Sequence, residues 1–224
     1  FVDDLADAGI RTLCYANPMF VDPPVDAGAV PRNLYAEALD AGYFVHQDGG
    51  APFFIRVTAF DVGLLDLSNP QARTWMKGVL KDEVMGRGRC SGWMVDFAEA
   101  LPFEAVLASG VGADRFHNQY PVEWMRINRE AIEEAGRLGD VITWNRAGAA
   151  RTPAYSLMLW EGDQLTTWDK YDGLTSALHG LINGGLSGIA LNHSDTGGYT
   201  SLSASGILGY EREAEQLKRW AELS

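Results

Sequence analysis

Short apolar runs alternate with amphipathic stretches along the whole chain. The run from Trp93 to Val95 is continuously apolar and ends on the carboxylate of Asp96. Parallel strands that are covered on both faces give such runs. Similar runs predict further strands at 10–16, 141–145, 155–160 and 187–191. Apolar residues at helical spacing predict helices at 1–8, 31–39, 71–84, 121–138, 172–182 and 211–223.

Strands that alternate with helices at this rhythm predict βαβ units and a parallel sheet. A closed (β/α)₈ barrel needs eight strands, whereas the pattern gives about five. Either the sheet is open and doubly wound, or barrel strands are missing at both ends. The chain begins inside a helical pattern without Met, which favours a partial (β/α)₈ barrel.

Turn and capping signals predict the structure of the segments that connect these strands and helices. Asp48-Gly49-Gly50, between the runs 43–46 and 53–58, predicts a small β-hairpin outside the main sheet. Ser68 or Asn69 is predicted to cap the helix that starts at Pro70. The segment 20–30 is expected to be a loop. The stretch 98–120 is long for a connection, which is more typical of a functional lid than of filler.

Composition narrows the range of partners. The 224 residues fit one domain, and a formal charge of −12 argues against nucleic acid and anionic membranes. No apolar run reaches the roughly 18 residues of a membrane helix. Cys14 and Cys90 lie in or beside apolar runs and are expected to be free, buried thiols in a reducing, cytoplasmic setting.

Polar side chains follow each predicted strand. If the strands are parallel, these groups share one rim, where amides, carboxylates and an arginine suit a polyhydroxylated ligand. Trp93, Phe97, Trp160 and Tyr199 could offer flat faces to a sugar ring, although each also fits a core position. The polar clusters are Asn17, Asp96 with Glu99, Asn145-Arg146, Asp163-Gln164 and Asn192 to Asp195.

Two of these carboxylates suit glycoside hydrolysis, which needs a nucleophile or base and a proton donor. An arginine next to Asp96, here Arg146, would keep that acid ionised as a nucleophile. Asp163, after Gly162 and close to Trp160, is the better candidate for the protonated acid. Asp96 taken alone also fits an Asp that caps a turn.

Metal and cofactor chemistry have little support in the sequence. His193 and Asp195 are spaced like metal ligands, but no HExxH motif or cysteine cluster accompanies them, and Asp195 fits a structural acceptor equally well. The paired glycines lack the spacing of a phosphate loop. We therefore expect no metal and no cofactor, and a small glycoside as the ligand.

Three strand ends resemble glycoside hydrolase family 31. The nucleophile strand of that family has a Trp, an Asp and a Glu three places on, here Trp93, Asp96 and Glu99. Its acid strand ends in Trp-x-Gly-Asp, here Trp160 to Asp163, and its next strand in Asp-x-x-Gly-aromatic, here Asp195 to Tyr199. The two acids lie 67 positions apart (163 minus 96), which also agrees with the family.

Within the family, the chain most resembles the bacterial sulfoquinovosidases, which release 6-sulfonated glucose from α-glycosides. The resemblance implies retention through a glycosyl-enzyme on Asp96, with Asp163 as acid/base and Tyr199 in the sulfonate pocket. Ordinary α-glucosidases of the family usually have Asn and Phe where this chain has Gln164 and Tyr199. The expected substrate-binding residues are Arg146, Trp93, Trp160, Gln164, His193, Asp195, Tyr199 and Glu99.

The chain also departs from that subgroup. The subgroup's main sulfonate-binding Arg and Trp precede the part matched by Phe1, and a substrate-binding His follows the part matched by Ser224. We therefore expect strands three to seven of a barrel, without the N-terminal β-sandwich, the first strands and the last strand, and poor activity of this piece alone. The alternatives are an α-glucosidase or α-xylosidase for neutral sugars and an inactive carbohydrate-binding remnant; a homo-oligomer of the full-length enzyme stays open.

Overall fold

The structure is a computed structural model that describes residues 1–24, 31–57, 60–201, 203–204 and 208–223. Two compact units divide the chain. The first contains Phe1–Ile142 and Ala147–Tyr155, and the second contains Thr143–Arg146 and Ser156–Ser224.

The first unit is built of helices around two groups of strands. Its helices are α1 (Val2–Asp7), α2 (Leu34–Asp40), α3 (Pro70–Val79), which continues as a π-helix (Leu80–Arg87), α4 (Ala113–Phe116) and α5 (Tyr120–Glu134). Its strands are β1 (Cys14–Ala16), β2 (Met19–Phe20), β3 (Phe54–Val57), β4 (Phe60–Leu64) and β5 (Gly92–Val95), and a short 3-10 helix covers Thr152–Ala154.

Strands β1 and β5 pair in parallel, with Cys14 opposite Trp93 and Ala16 opposite Val95. Cys14 and Cys90 form a disulfide across this pair, with 5.9 Å between their Cα atoms. The expectation of two free thiols was therefore wrong. Cys90 precedes β5 and is brought beside β1 by the strand pairing, a proximity that spacing along the chain does not reveal. Because disulfides persist mainly in oxidising settings, the argument for a reducing compartment loses its basis.

The predicted β-hairpin is part of a larger antiparallel sheet. Strand β4 lies between β2 and β3, with Phe54 opposite Gly63. The turn at 48–50 is present and its flanks are bridged at His46 and Pro52, but the main partner of β3 is β4. The sequence interpretation missed β4 because it contains Asp61 and Gly63 among its apolar residues. Part of the predicted loop 20–30 lies outside the described residues, as does Thr58.

The core of the first unit lies between β5 and helices α3 and α5. Trp93 and Trp124 are fully buried, and the indole nitrogen of Trp93 donates to Asn128 Oδ1 at 2.8 Å. As predicted, Asn69 caps α3: its side chain accepts hydrogen bonds from the backbone nitrogens of Gln71 and Ala72. Helix α5 ends at Glu134, four residues before the predicted end.

The long connection between β5 and α5 is part of this core. Asp66 is buried and its Oδ2 accepts a hydrogen bond from the backbone nitrogen of Ala108 at 2.7 Å. Val106 is bridged to His46, and His117 Nδ1 lies 2.7 Å from the carbonyl oxygen of Leu101. These contacts hold the segment against the rest of the unit, and a function as a lid stays a prediction.

The second unit contains a parallel group of three strands and two helices. Strand β7 (Met158–Trp160) lies between β6 (Ile142–Asn145) and β8 (Leu191–His193), with Trp160 opposite His193. The helices are α6 (Leu174–Leu186) and α7 (Ala214–Leu223), and two short antiparallel strands are β9 (Ser203–Ala204) and β10 (Leu208–Gly209). Trp220 of α7 is fully buried and donates to Ser194 Oγ at 2.9 Å.

Five parallel strands are thus present in the described part of the chain, two in the first unit and three in the second. The predicted α/β alternation is confirmed. Strand β8 begins at Leu191 rather than at residue 187, so Asn192 and His193 belong to the strand and do not follow it. No helix among the described residues has the length and apolar character needed to cross a membrane.

We predict that Gly63→Ala destabilises the chain by about 1 to 3 kcal/mol, the usual cost of overpacking a core. A Cβ at Gly63 would lie 2.6 Å from the ring of Phe44, which is buried. The matched control is Gly78→Ala in α3, where a Cβ meets nothing within 4 Å and helix propensity favours Ala by about 1 kcal/mol. Urea unfolding measures both; equal stability of the two variants would contradict the packing.

Candidate active site

Asp96 directly follows β5 in the first unit and is held at both its backbone and its side chain. It is only 5% exposed, and its backbone nitrogen donates to the carbonyl oxygen of Ala16 at 2.9 Å. Its own carbonyl oxygen accepts a hydrogen bond from the indole nitrogen of Trp124 at 3.2 Å. The side-chain Oδ2 accepts one from the hydroxyl of Tyr15 at 2.7 Å. The carboxylate therefore has a fixed orientation.

The backbone after Asp96 is strained. Phe97 and Ala98 have φ angles of 57° and 86°, in the left-handed region that residues other than glycine seldom adopt. Ala98 is fully buried, so the surrounding core holds this conformation. Strain of this kind is concentrated at functional sites, which supports a functional role for Asp96 over that of a simple turn cap.

Tyr15 is the residue that the sequence interpretation missed. It lies on β1 and is half exposed. Asn17, which the pattern of polar strand ends did single out, donates its Nδ2 hydrogen to the Tyr15 hydroxyl oxygen at 3.1 Å. The signal in the sequence was weak. Tyr15 is the next-to-last residue of β1, and β1 pairs with β5, the strand that precedes Asp96.

Trp93 and Glu99, which belong to the same motif as Asp96, differ from each other in their exposure to solvent. Trp93 has no exposed surface and hydrogen-bonds to Asn128 on α5, because side chains alternate along a strand and Trp93 faces the helix layer. This is the core position that the sequence also allowed, and a role of Trp93 in sugar binding stays a prediction. Glu99 is exposed.

In the second unit, Arg146 lies next to Asp163. Arg146 Nη1 is 3.6 Å from Asp163 Oδ2, and the guanidinium carbon is 5.9 Å from the ring centre of Trp160. The Asp163 side chain is 43% exposed, so it is open to solvent and to ligands. The ion pair of Arg146 with Asp163 was not anticipated from the sequence, and the expected place of Arg146 beside Asp96 stays a prediction.

The turn that carries Asp163 is held by the segment after β8. Gly162 has a φ of 88°, which favours glycine at this position. The carbonyl oxygen of Gln164 accepts hydrogen bonds from the backbone nitrogens of Tyr199 and Thr200 at 2.9 and 3.0 Å. A Cβ at Gly198 would lie 2.9 Å from the carbonyl oxygen of Leu165. This close approach explains the glycine pair in the Asp195 to Tyr199 motif.

Trp160 and Gln164 present buried polar atoms in the same unit. Trp160 is 3% exposed and Gln164 is 8% exposed. Within the part of the chain that the structure describes, neither the indole nitrogen of Trp160 nor Oε1 of Gln164 has a hydrogen-bond partner. The Nε2 of Gln164 donates to the carbonyl oxygen of Glu161. Buried polar groups without partners are costly, so both atoms are suited to a ligand.

His193 and Asp195 lie at the end of β8. Their nearest side-chain atoms, Nε2 and Oδ1, are 3.7 Å apart. Asp195 Oδ2 is buried without a hydrogen-bond partner among the described residues. No third metal-ligating side chain joins this pair in the described ranges. The Tyr199 side chain is 62% exposed, whereas its backbone holds the turn of Asp163.

Glu161, between Trp160 and Asp163, has an altered acidity. Burial raises the pKa of its carboxyl group above the ordinary value of 4.5. Its Oε1 is buried without a partner among described residues, and its Oε2 occupies the place that a Cβ of Gly180 would need. Glu161 therefore packs against α6, and its burial makes the carboxyl group bind its proton more tightly than an exposed glutamate does.

Comparison with known proteins gives the family. The model of the glycosyl hydrolases family 31 TIM-barrel domain matches residues 1–224. The chain is 37% identical over 216 residues to the sulfoquinovosidase of Escherichia coli (strain K12), covering 96% of this chain and 30% of that protein. It is 36% identical over 228 residues to the sulfoquinovosidase of Agrobacterium fabrum (strain C58), covering 100% of this chain and 32% of that protein.

A solved structure that is similar to this chain is also that of a sulfoquinovosidase. It is a GH31 family sulfoquinovosidase from E. rectale in complex with the aza-sugar inhibitor IFGSQ, with a TM-score of 0.88 and 38% identity over 99% of this chain and 31% of that chain. The fold is thus that of a (β/α)₈ barrel domain, of which five parallel strands are described. The chain belongs to glycoside hydrolase family 31. It spans about a third of the length of the curated relatives that it matches.

We predict that Glu161→Gln stabilises the chain more at pH 7 than at pH 4. The folded pKa of Glu161 is raised above 4.5, so its proton is held more tightly in the folded than in the unfolded chain. Stability from this group is complete below the unfolded value and is lost as pH rises toward the folded value. The glutamine variant escapes this loss.

Urea unfolding at both pH values measures the effect, with Glu211→Gln as the control because Glu211 is exposed. The same stability difference between Glu161→Gln and the native chain at both pH values would show that this carboxyl group is not held in its neutral form.

Proposed function

We propose that the chain is the catalytic core of a retaining α-glycosidase that hydrolyses α-sulfoquinovosides. The observation that carries this proposal is that acids follow β5 and β7, at Asp96 and Asp163, in a family 31 chain similar along its whole length to two sulfoquinovosidases. In (β/α)₈ barrels the catalytic residues lie at the carboxyl ends of strands.

In the proposed reaction, Asp96 attacks the anomeric carbon and the glycosidic bond to the leaving oxygen breaks. Asp163 gives its proton to that oxygen, so the aglycone leaves as an alcohol. Water then attacks the anomeric carbon and gives a proton to Asp163, while the ester bond to Asp96 breaks. Two displacements restore the original anomeric configuration, and they require carboxyl groups about 5 to 5.5 Å apart.

Arg146 is relevant to both steps because it lies beside Asp163, which acts in each of them. A cation 3.6 Å from Asp163 favours the ionised carboxylate, which is the form that the second step needs as its base. The first step needs the protonated acid. We propose that Arg146 also binds a sugar hydroxyl of the substrate.

The substrate proposal rests on Arg146, Trp160, Gln164 and Tyr199. Trp160 Nε1 and Gln164 Oε1 are buried and lack partners among described residues, so we assign them to sugar hydroxyls, with His193, Asp195 and Glu99 as further contacts. A sulfonate must be held by local donors because the chain carries a net charge of −12. Tyr199, exposed in its side chain, is assigned to that group.

We further propose that the chain corresponds to strands three to seven of a longer enzyme, whose remaining segments complete the barrel and the sulfonate pocket. Activity is therefore assigned to the longer protein. A cytoplasmic location stays a prediction, and the Cys14–Cys90 disulfide does not support it.

The substrate assignment predicts that the longer protein hydrolyses the nitrophenyl α-glycoside of sulfoquinovose far faster than those of glucose and xylose. The physical reason is that the sulfonate adds charge-assisted hydrogen bonds that neutral sugars cannot form. Release of nitrophenol gives kcat/KM for each glycoside. Turnover of the neutral glycosides alone would replace the sulfonated substrate with a neutral one.

The role assignment predicts different losses for the two acids. Asp96→Asn removes the nucleophile and should abolish turnover of every substrate. Asp163→Asn should lower kcat/KM for alkyl glycosides by about 100-fold or more and kcat/KM for nitrophenyl glycosides far less, because only poor leaving groups need a proton in the first step. Steady-state rates on both substrate types provide the measurement, and equal losses for both types in Asp163→Asn would refute its role as acid.

A further inference from the structure

We propose that Tyr15, oriented by Asn17, positions the carboxylate of Asp96 for attack on the substrate. This inference rests on the proposed function, because it assigns Tyr15 to the nucleophile of that reaction. Tyr15 acts through Asp96 and is a positioning residue.

The direction of each hydrogen bond follows from the chemistry of the groups. The Nδ2 of Asn17 can only donate, so the hydroxyl oxygen of Tyr15, 3.1 Å away, accepts from it. The hydroxyl proton of Tyr15 is then directed to Asp96 Oδ2 at 2.7 Å. Asn17 is itself fixed, because its Oδ1 accepts a hydrogen bond from the backbone nitrogen of Met19 at 2.8 Å.

The backbone brings these groups together. Ala16 is opposite Val95 in the parallel pair of β1 and β5, and the carbonyl oxygen of Ala16 accepts the hydrogen bond from the Asp96 nitrogen at 2.9 Å. Tyr15 therefore meets Asp96 through the register of the two strands. The disulfide from Cys14 to Cys90 joins the same two segments of chain.

Packing alone does not explain this tyrosine. Its side chain is half exposed, so the ring adds less to the core than a buried residue would. Its hydroxyl is instead directed to the ionisable oxygen of the proposed nucleophile. A hydrogen bond to one carboxylate oxygen restricts rotation of the carboxylate plane. The proposed nucleophile must attack in one orientation, so this restriction serves the proposed reaction.

The first test is Tyr15→Phe in the longer protein, which keeps the ring and removes the proton. The loss of one hydrogen bond to a charged group predicts a fall in kcat of about 10- to 100-fold. KM should change little, since the hydrogen bond that is removed goes to the nucleophile. A fall in kcat with an unchanged KM in a folded variant is a split that a merely structural role would not produce.

The second test is Asn17→Asp, which keeps the Oδ1 acceptor for Met19 but replaces the donor to Tyr15 with an acceptor. The new carboxylate competes for the Tyr15 proton, so this variant should also lower kcat with KM little changed and with the Tyr15 ring intact. The control is Tyr35→Phe, since the Tyr35 ring packs on Phe44 and Phe54 in the same unit; it should leave kcat and KM unchanged.

The outcomes separate the two proposals. If Asp96→Asn is inactive while Tyr15→Phe and Asn17→Asp keep the native kcat, the positioning role is wrong and the proposed function stands. If Asp96→Asn retains full activity, the nucleophile assignment and the positioning role both fail. Thermal unfolding shows whether each variant folds. If Tyr15→Phe does not fold, the Asn17→Asp result decides whether Tyr15 has a positioning role.

Discussion

The parallel pairing of β1 and β5 is the constraint on which the first unit depends. It sets Cys14 opposite Trp93 and Ala16 opposite Val95, and so brings the Asp96 backbone to the carbonyl oxygen of Ala16. A slip of one residue would turn alternate side chains to the other face of the strands. Trp93 would then leave the helix layer and Tyr15 would lose Asp96. The same register thus serves packing and the candidate chemistry.

The second unit uses backbone contacts for a similar purpose. Asp163 is carried on a turn that begins with Gly162 and is joined to Tyr199 and Thr200 by two backbone hydrogen bonds. Trp220 secures the end of β8 through Ser194. The acid therefore does not depend on a long flexible loop, although its own side chain is exposed. A fixed backbone thus carries an exposed carboxylate side chain.

Much of the fold followed from sequence because burial of apolar residues has a regular period. The run ending at Asp96, the Asn69 cap and the α/β alternation were all visible in the pattern. Strand β4 was missed because its polar residues interrupt the apolar signal, and β8 was placed too early. The family was predictable from three strand-end motifs, and the whole-length match confirms it.

The rest depends on proximity in space, which local pattern does not encode. The Cys14–Cys90 disulfide joins residues 76 positions apart, and the contact of Tyr15 with Asp96 spans 81 positions. The burial of Trp93 against α5 follows from the alternation of side chains along β5, a choice between two faces that the motif alone left open. The pairing of Arg146 with Asp163 likewise required the fold of the second unit.

The central claim is that Asp96 forms a covalent bond to the sugar. The most direct measurement is mass spectrometry of peptides from the longer protein after reaction with a fluorinated sulfoquinovosyl fluoride, which forms the glycosyl-enzyme and slows its hydrolysis. The account predicts one added sugar per chain, on the peptide that contains Asp96. A label on a different residue, or turnover of substrate with no covalent label, would contradict it.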